Sequence, residues 1–294
     1  MPQTFVLSVR LHPKSEADAK RLRQGLTVLS REEVGFYADP AEFEGPVILH
    51  ANDENQLDQL VERLLRDFAV RMDVGAPDVA YRETIGAETE VAHTHQKDHG
   101  ATAGFADVTM IVRPSASVNE NSFASKIEED TLPAEFLEGV EAGVASVWTS
   151  GPIQSFPVTG VAVTLTGAQF LDSASNPLAF EIAARMCVWQ ALRQYGILLE
   201  PIAAVSIVCP HNAVSGVISD LSSRRGHSIR RTDHSEQVRI SAMVPAANMM
   251  GYINRLLSLT EGSGTFEMVF DHYAPFPKTR GPDDEPPMAA ALTG

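Results

Sequence analysis

The chain has 294 residues, 44% of them hydrophobic, enough to bury sizeable cores in two or more domains. A formal net charge of −15 and a pI near 5.0 argue, taken alone, against a nucleic-acid partner, which needs clustered Lys and Arg; a local patch can still oppose the average. There is no basic-then-apolar leader and no apolar run of about 18–20 residues, and Cys187 and Cys209 sit in no C-x-x-C, so the sequence predicts a soluble, cytoplasmic chain with two buried thiols.

Phe5, Leu7, Val9 and Leu11 alternate as in a half-buried strand. Ser15 can cap a helix that carries Leu22, Leu26 and Leu29 at helical spacing. Strand-like runs follow at 34–37 and 46–50. Asn52 or Asp53 then opens a second helix with the stripe Leu57, Leu60, Val61, Leu64, Leu65 and Phe68. A strand at 70–74 completes the order βαββαβ. The middle, 86–198, reads as an α/β layer. Its expected strands are 90–95, 105–113 and 158–165, and its expected helices are 133–148 and 177–195, the latter opened by Asn176 and Pro177. The βαββαβ order then returns: an apolar run at 202–209, a helix over 211–223, strands at 226–232 and 238–244, a helix from Pro245 and a strand at 266–270. The tail from Lys278 is rich in Pro and then Ala and is expected to be disordered. The fold class is therefore α+β, two ferredoxin-like βαββαβ domains (1–85 and 199–277) flanking a different α/β domain (86–198), with a 278–294 tail.

The sequence contains no G-x-x-x-x-G-K-[ST] loop to cradle phosphates and no G-x-S-x-G nucleophile elbow. His93 and His95 would share one side of a strand, and with Asp98 and His99 they form a metal-like cluster of no specific spacing; the alternative is a polar strand running into a loop. Asp271-His272 reads either as an oriented imidazole pair or as a structural hydrogen bond at a strand end. Arg224-Arg225-Gly226-His227, with Arg230 and Arg231, is the densest basic cluster. It is a candidate RNA contact because Arg forks match phosphate oxygens; it is equally a solvated helix end.

Two strings lie far apart, Val79-Ala80-Tyr81-Arg82-Glu83-Thr84-Ile85 and Gly264-Thr265-Phe266-Glu267-Met268-Val269-Phe270-Asp271-His272-Tyr273. With Val74-Gly75-Ala76-Pro77, Pro133-Ala134-Glu135-Phe136, Gly151-Pro152, Phe156-Pro157-Val158, Leu199-Glu200-Pro201-Ile202 and Arg224-Arg225-Gly226, they resemble the C-terminal half of elongation factor G, domains III, IV and V. The resemblance covers about residues 3–277. It implies ferredoxin-like folds for domains III and V and a ribosomal protein S5 domain 2-like fold for domain IV. It also implies a parent GTPase whose nucleotide-binding domain, with its GTP and Mg2+, lies outside this chain. No catalytic, cofactor or metal residue is then expected here.

The implied partners are the ribosome (rRNA and ribosomal proteins), the mRNA–tRNA complex near the tip of domain IV, and the parent's N-terminal GTPase domain. The implied ribosome contacts are Lys97, His99, Thr102, Phe170, Leu171, Arg224, Arg225, Arg230, Arg231, Ser258 and Thr260. Departures from the family pattern fall on loops. The Gly100-Ala101-Thr102-Ala103-Gly104 loop lacks the family's Arg, Leu171 replaces a tip His, and three basic positions are lost over residues 256–264. Each lost cation removes a phosphate contact, so a divergent paralogue of the translocase is expected. A stand-alone binding module that has left translocation is the alternative.

Overall fold

The computed structural model describes residues 5–32, 35–38, 47–128 and 131–277. Val34 and Pro46, which open two expected strands, and the 278–294 tail lie outside the described residues. The fold is α+β, with three sheets and six α-helices among the described residues. By compactness the described residues form two units, one from residues 5–80 and 200–274 and one from residues 81–199 and 275–277.

The first unit opens with β1 (Leu7–Pro13), α1 (Glu16–Glu32), β2 (Phe36–Ala38), β3 (Val47–Ala51), α2 (Glu54–Asp67), β4 (Met72–Val74) and β5 (Asp78–Val79). The sheet runs β2-β3-β1-β4 with antiparallel pairing, and β5 also pairs with β1. Alternation along β1 sends Leu7, Val9 and Leu11 into the core against Leu22, Leu26 and Leu29 of α1 and Leu57, Leu60 and Leu64 of α2. Each fully buried leucine contributes roughly 2 kcal/mol. Of the two candidate caps of α2, Asp53 is the one used, its Oδ1 accepting from Gln56 N at 2.8 Å.

Ser15 caps α1, its Oγ accepting from Asp18 N at 3.2 Å. The Asp18 carboxylate is wholly enclosed. It accepts from the Ser15 hydroxyl, the Arg21 guanidinium, Arg71 N at 3.1 Å and Arg71 Nη2 at 3.3 Å. The Ser15 hydroxyl and the Arg21 and Arg71 donors hold the Asp18 carboxyl well below the ordinary 3.8. A depressed folded pKa adds stability above the unfolded value and loses it as pH falls toward the folded one. Protection of the α1–β4 segment from amide exchange is therefore expected to fall as pH drops below about 4. Asp18→Asn should exchange faster at pH 6 and show a flatter acid limb. An acid limb as steep as that of the parent would remove Asp18 from the account.

The second unit contains β6 (Arg82–Ile85), β7 (Thr89–Lys97), β8 (Gly104–Pro114), β9 (Ser122–Ser125), α3 (Ala134–Thr149), β10 (Val161–Gln169) and α4 (Pro177–Tyr195). Its sheet runs β7-β8-β10-β9, antiparallel except for β9 beside β10. β9 was not expected: Ser122-Phe123-Ala124-Ser125 is short, with two exposed serines, and carries little strand pattern. One sheet face buries Ala106, Val108, Met110 and Val112 against Val140, Val144 and Val147 of α3 and Phe180, Ala183, Ala184 and Cys187 of α4. α3 and α4 meet closely. A Cβ at Gly139 would overlap the carbonyl oxygen of Pro177, and one at Gly143 that of Glu181.

β11 (Gly196–Cys209) starts earlier than the expected 202, and its first four residues pair with β6. From Ile202 it pairs with β13. The rest of the first unit is a 3-10 turn at 211–213, α5 (Val214–Ser223), β12 (His227–Asp233), β13 (Val238–Pro245), α6 (Tyr252–Leu259) and β14 (Thr265–Pro275). The sheet order is β12-β13-β11-β14. The helix expected from Pro245 is instead a 3-10 turn over 246–249, followed by α6. The break falls at Gly251, whose φ of +66° is left-handed and ends any helix.

Candidate functional site

Two loops meet at one end of the second unit's sheet. The first, 98–103, joins β7 to β8; the second, 170–176, joins β10 to α4. Phe105 N donates to Ala174 O at 2.9 Å, Ser175 Oγ donates to Phe105 O at 2.7 Å, and Asn176 Nδ2 donates to Ala103 O at 2.9 Å. Gly104 (φ +154°) makes the approach possible, since a Cβ there would lie 2.5 Å from Asn176 Nδ2. Lys97 Nζ donates to Thr102 Oγ1 at 2.9 Å, and His95 Nε2 donates to the Thr102 carbonyl at 2.9 Å.

The structure thus brings together Lys97, His99, Thr102, Phe170 and Leu171. Lys97 and His99 are exposed, and Leu171 is 50% exposed. Phe170 is half-buried and rests on Phe136, with ring centroids 5.6 Å apart, so its ring belongs partly to the core. The result is a joined, two-loop projection with Lys97, Asp98, His99, Leu171 and Asp172 exposed at its surface.

The basic candidates of the first unit are placed differently. Arg224 Nε pairs with Asp220 Oδ2 at 2.8 Å, and its guanidinium lies 4.9 Å from the centre of the Tyr252 ring. Arg225 grips the buried Glu200 carboxylate, with Nη1 3.0 Å from Oε2. Arg231 Nη2 pairs with Asp233 Oδ1 at 2.6 Å, and Arg230 is exposed on β12. Three of these four arginines therefore pair with carboxylates, and Asp220 is shared, since Arg255 Nε also lies 3.0 Å from its Oδ1. Ser258 is exposed on α6. Thr260 lies inside, 4% exposed: its Oγ1 donates to Leu256 O at 2.7 Å and accepts from Gly264 N at 2.8 Å, which closes the turn after α6. It presents no hydroxyl to a partner, a placement its position in the chain did not reveal.

His93 and His95 do share one face of β7, half-buried. Burial and the neighbouring His95 push the His93 pKa down. Among the described residues no group of three or more His, Cys, Asp or Glu side chains is arranged to hold a metal ion. Asp271 and His272 are exposed, with His272 Nδ1 2.6 Å from Asp271 Oδ2. Cys187 and Cys209 are both buried free thiols, and desolvation pushes the Cys187 thiol up to about 12. Among the described residues no helix is long and apolar enough to cross a membrane.

The family model for elongation factor G domain IV matches residues 77–195, and the model for the elongation factor G C-terminus matches residues 197–282. Elongation factor G of Ruegeria sp. (strain TM1040) is 42% identical over 274 residues, which is 93% of this chain. That of Dinoroseobacter shibae is 42% identical over 273 residues, 92% of this chain. The chain belongs to the elongation factor G family. It spans 39% of the length of those relatives. A crystal structure of a Thermus thermophilus protein, 29% identical, superposes with a TM-score of 0.67 over 94% of this chain and 42% of that one. Within the elongation factor G domain IV match lie both loops of the projection.

That match also contains a residue that sequence reasoning used only as part of a string. Glu83 is fully buried, and its carboxylate accepts from Ile153 N at 3.0 Å, Gln154 N at 2.8 Å and Phe156 N at 3.1 Å. Desolvation still pushes its pKa above the ordinary 4.5. An acidic residue inside an otherwise strand-like string was the one available signal.

Proposed function

We propose that this chain is the ribosome-contacting C-terminal part of an elongation factor G-like translational GTPase, acting in translocation in the cytoplasm. Residues 1–85 correspond to a ferredoxin-like domain III, 86–198 to an S5-like domain IV and 199–277 to a ferredoxin-like domain V. The work is mechanical and assigns no catalytic residue here. GTP and Mg2+ belong to the parent's GTPase domain, and the mRNA–tRNA complex faces the domain IV projection. The observation that carries the reading is the pair of loops locked into one projection on a chain of this family.

Arg224, Arg225 and Arg231 are held by acidic partners, so the salt dependence of binding should be shallow. It should correspond to fewer phosphate contacts than the cluster has arginines. Co-sedimentation with 70S ribosomes across a salt series tests this. Retention at low salt with a gentle decline supports the reading. No retention at low salt, by this chain and by a GTPase-bearing parent alike, overturns it in favour of a stand-alone binding module, which the net charge of −15 would suit.

A further inference from the structure

Asn176 makes two bonds with different jobs. Its Oδ1 accepts from Ala179 N at 2.9 Å and caps α4. Its Nδ2 donates to Ala103 O at 2.9 Å, in the opposite loop. The neighbouring Ser175 repeats the pattern, its Oγ accepting from Leu171 N at 2.9 Å within its own loop and donating to Phe105 O at 2.7 Å across the gap. Asn176 is half-buried, and Gly104 leaves space for its amide and for nothing larger. The first loop has few other anchors among the described residues: Lys97 and His95 both hold it at Thr102, and at its end Phe105 N donates to Ala174 O at 2.9 Å.

We infer that Asn176 is the positioning residue of the projection, using one side-chain amide to lock the 98–104 loop to the rigid start of α4. The helix then sets where Lys97, His99 and Leu171 stand relative to one another. That these three residues face the ribosome rests on the reading above; the lock itself does not.

An Asp or Ser at position 176 keeps the acceptor that caps α4. Asp lacks the donor and turns a carboxylate toward the Ala103 carbonyl, and Ser is too short to reach it. Hydrogen–deuterium exchange of the 294-residue chain separates the two jobs. Asn176→Asp and Asn176→Ser should exchange about tenfold faster than the parent within 99–105 at the hydrogen-bonded amides of Ala103 and Phe105, the loss expected for one intramolecular bond. Exchange along α4 and the melting temperature should stay at the parent's values. Asn176→Ala should in addition fray the first turn of α4.

Unchanged exchange over 99–105 in both Asp and Ser variants overturns the inference. So does a gain confined to α4, which would make Asn176 a cap and nothing more. In the ribosome co-sedimentation assay, both variants should bind more weakly, in proportion to the fraction of chains whose loop is unlocked. If parent and variants alike fail to bind ribosomes, the ribosome reading falls, while the exchange result still decides the lock.

Discussion

Replacing Glu83 by alanine is expected to cost the 81–199 unit about 3 kcal/mol, because three backbone N–H groups, that of Phe156 buried, lose their acceptor at once. Each orphaned donor costs roughly 1–3 kcal/mol, and Ile153 and Gln154 are only half-buried, which argues for the lower end. Urea unfolding followed by tryptophan fluorescence measures this cleanly, since the chain's two tryptophans, Trp148 and Trp189, both belong to this unit. A loss below about 1 kcal/mol would mean that water or a loop shift satisfies the donors.

The same residue predicts a pH dependence. Its folded pKa is raised above 4.5, so its contribution is fully present below that value and declines as pH rises through the folded pKa. The stability of the parent should therefore fall, relative to Glu83→Gln, as pH rises from 4.5 toward neutrality. A constant difference across that range would show that the three N–H bonds, and not desolvation, set the ionisation of Glu83.

The second large effect is expected at Gly143. Alanine there gains close to about 1 kcal/mol of helix propensity. Its methyl group would overlap the Glu181 carbonyl oxygen, so α3 and α4 must move apart. Overpacking of a close contact costs about 1–3 kcal/mol and sometimes more. The steric term wins here because the obstacle is backbone, which cannot rotate away. A net loss of about 2 kcal/mol is expected in the same fluorescence assay. A Gly143→Ala variant more stable than the parent would show that the helices slide freely.

The parts legible in the sequence were those fixed by local periodicity. The alternation of Phe5, Leu7, Val9 and Leu11 placed β1, and the leucine stripe from Leu57 to Leu64 placed α2. Asn176-Pro177 placed the start of α4 to the residue. What escaped was tertiary. β9 pairs with β10 although its own residues carry no strand signature. The stretch after Pro245 has a helical pattern, which the left-handed φ of Gly251 interrupts.

The candidate site divides along the same line. The two loops could be named from motifs. The Arg224–Asp220 pair at i,i+4 and the Arg231–Asp233 pair two residues apart were open to a local reading that weighed the cluster's acidic neighbours. Nothing local showed that Arg225 would meet Glu200, which lies on β11. Thr260 failed for the mirror reason: a hydroxyl in a loop sequence turned inward to close its own turn.

The two thiols carry one more consequence. Cys187 lies in the second unit and Cys209 in the first, each sealed from solvent. A thiol reagent can reach either one only when its unit opens. The chain therefore carries two chemical clocks, one per unit. Identifying which cysteine a reagent marks first, as urea or temperature is raised, reads out the order in which the two halves come apart, without a single engineered label.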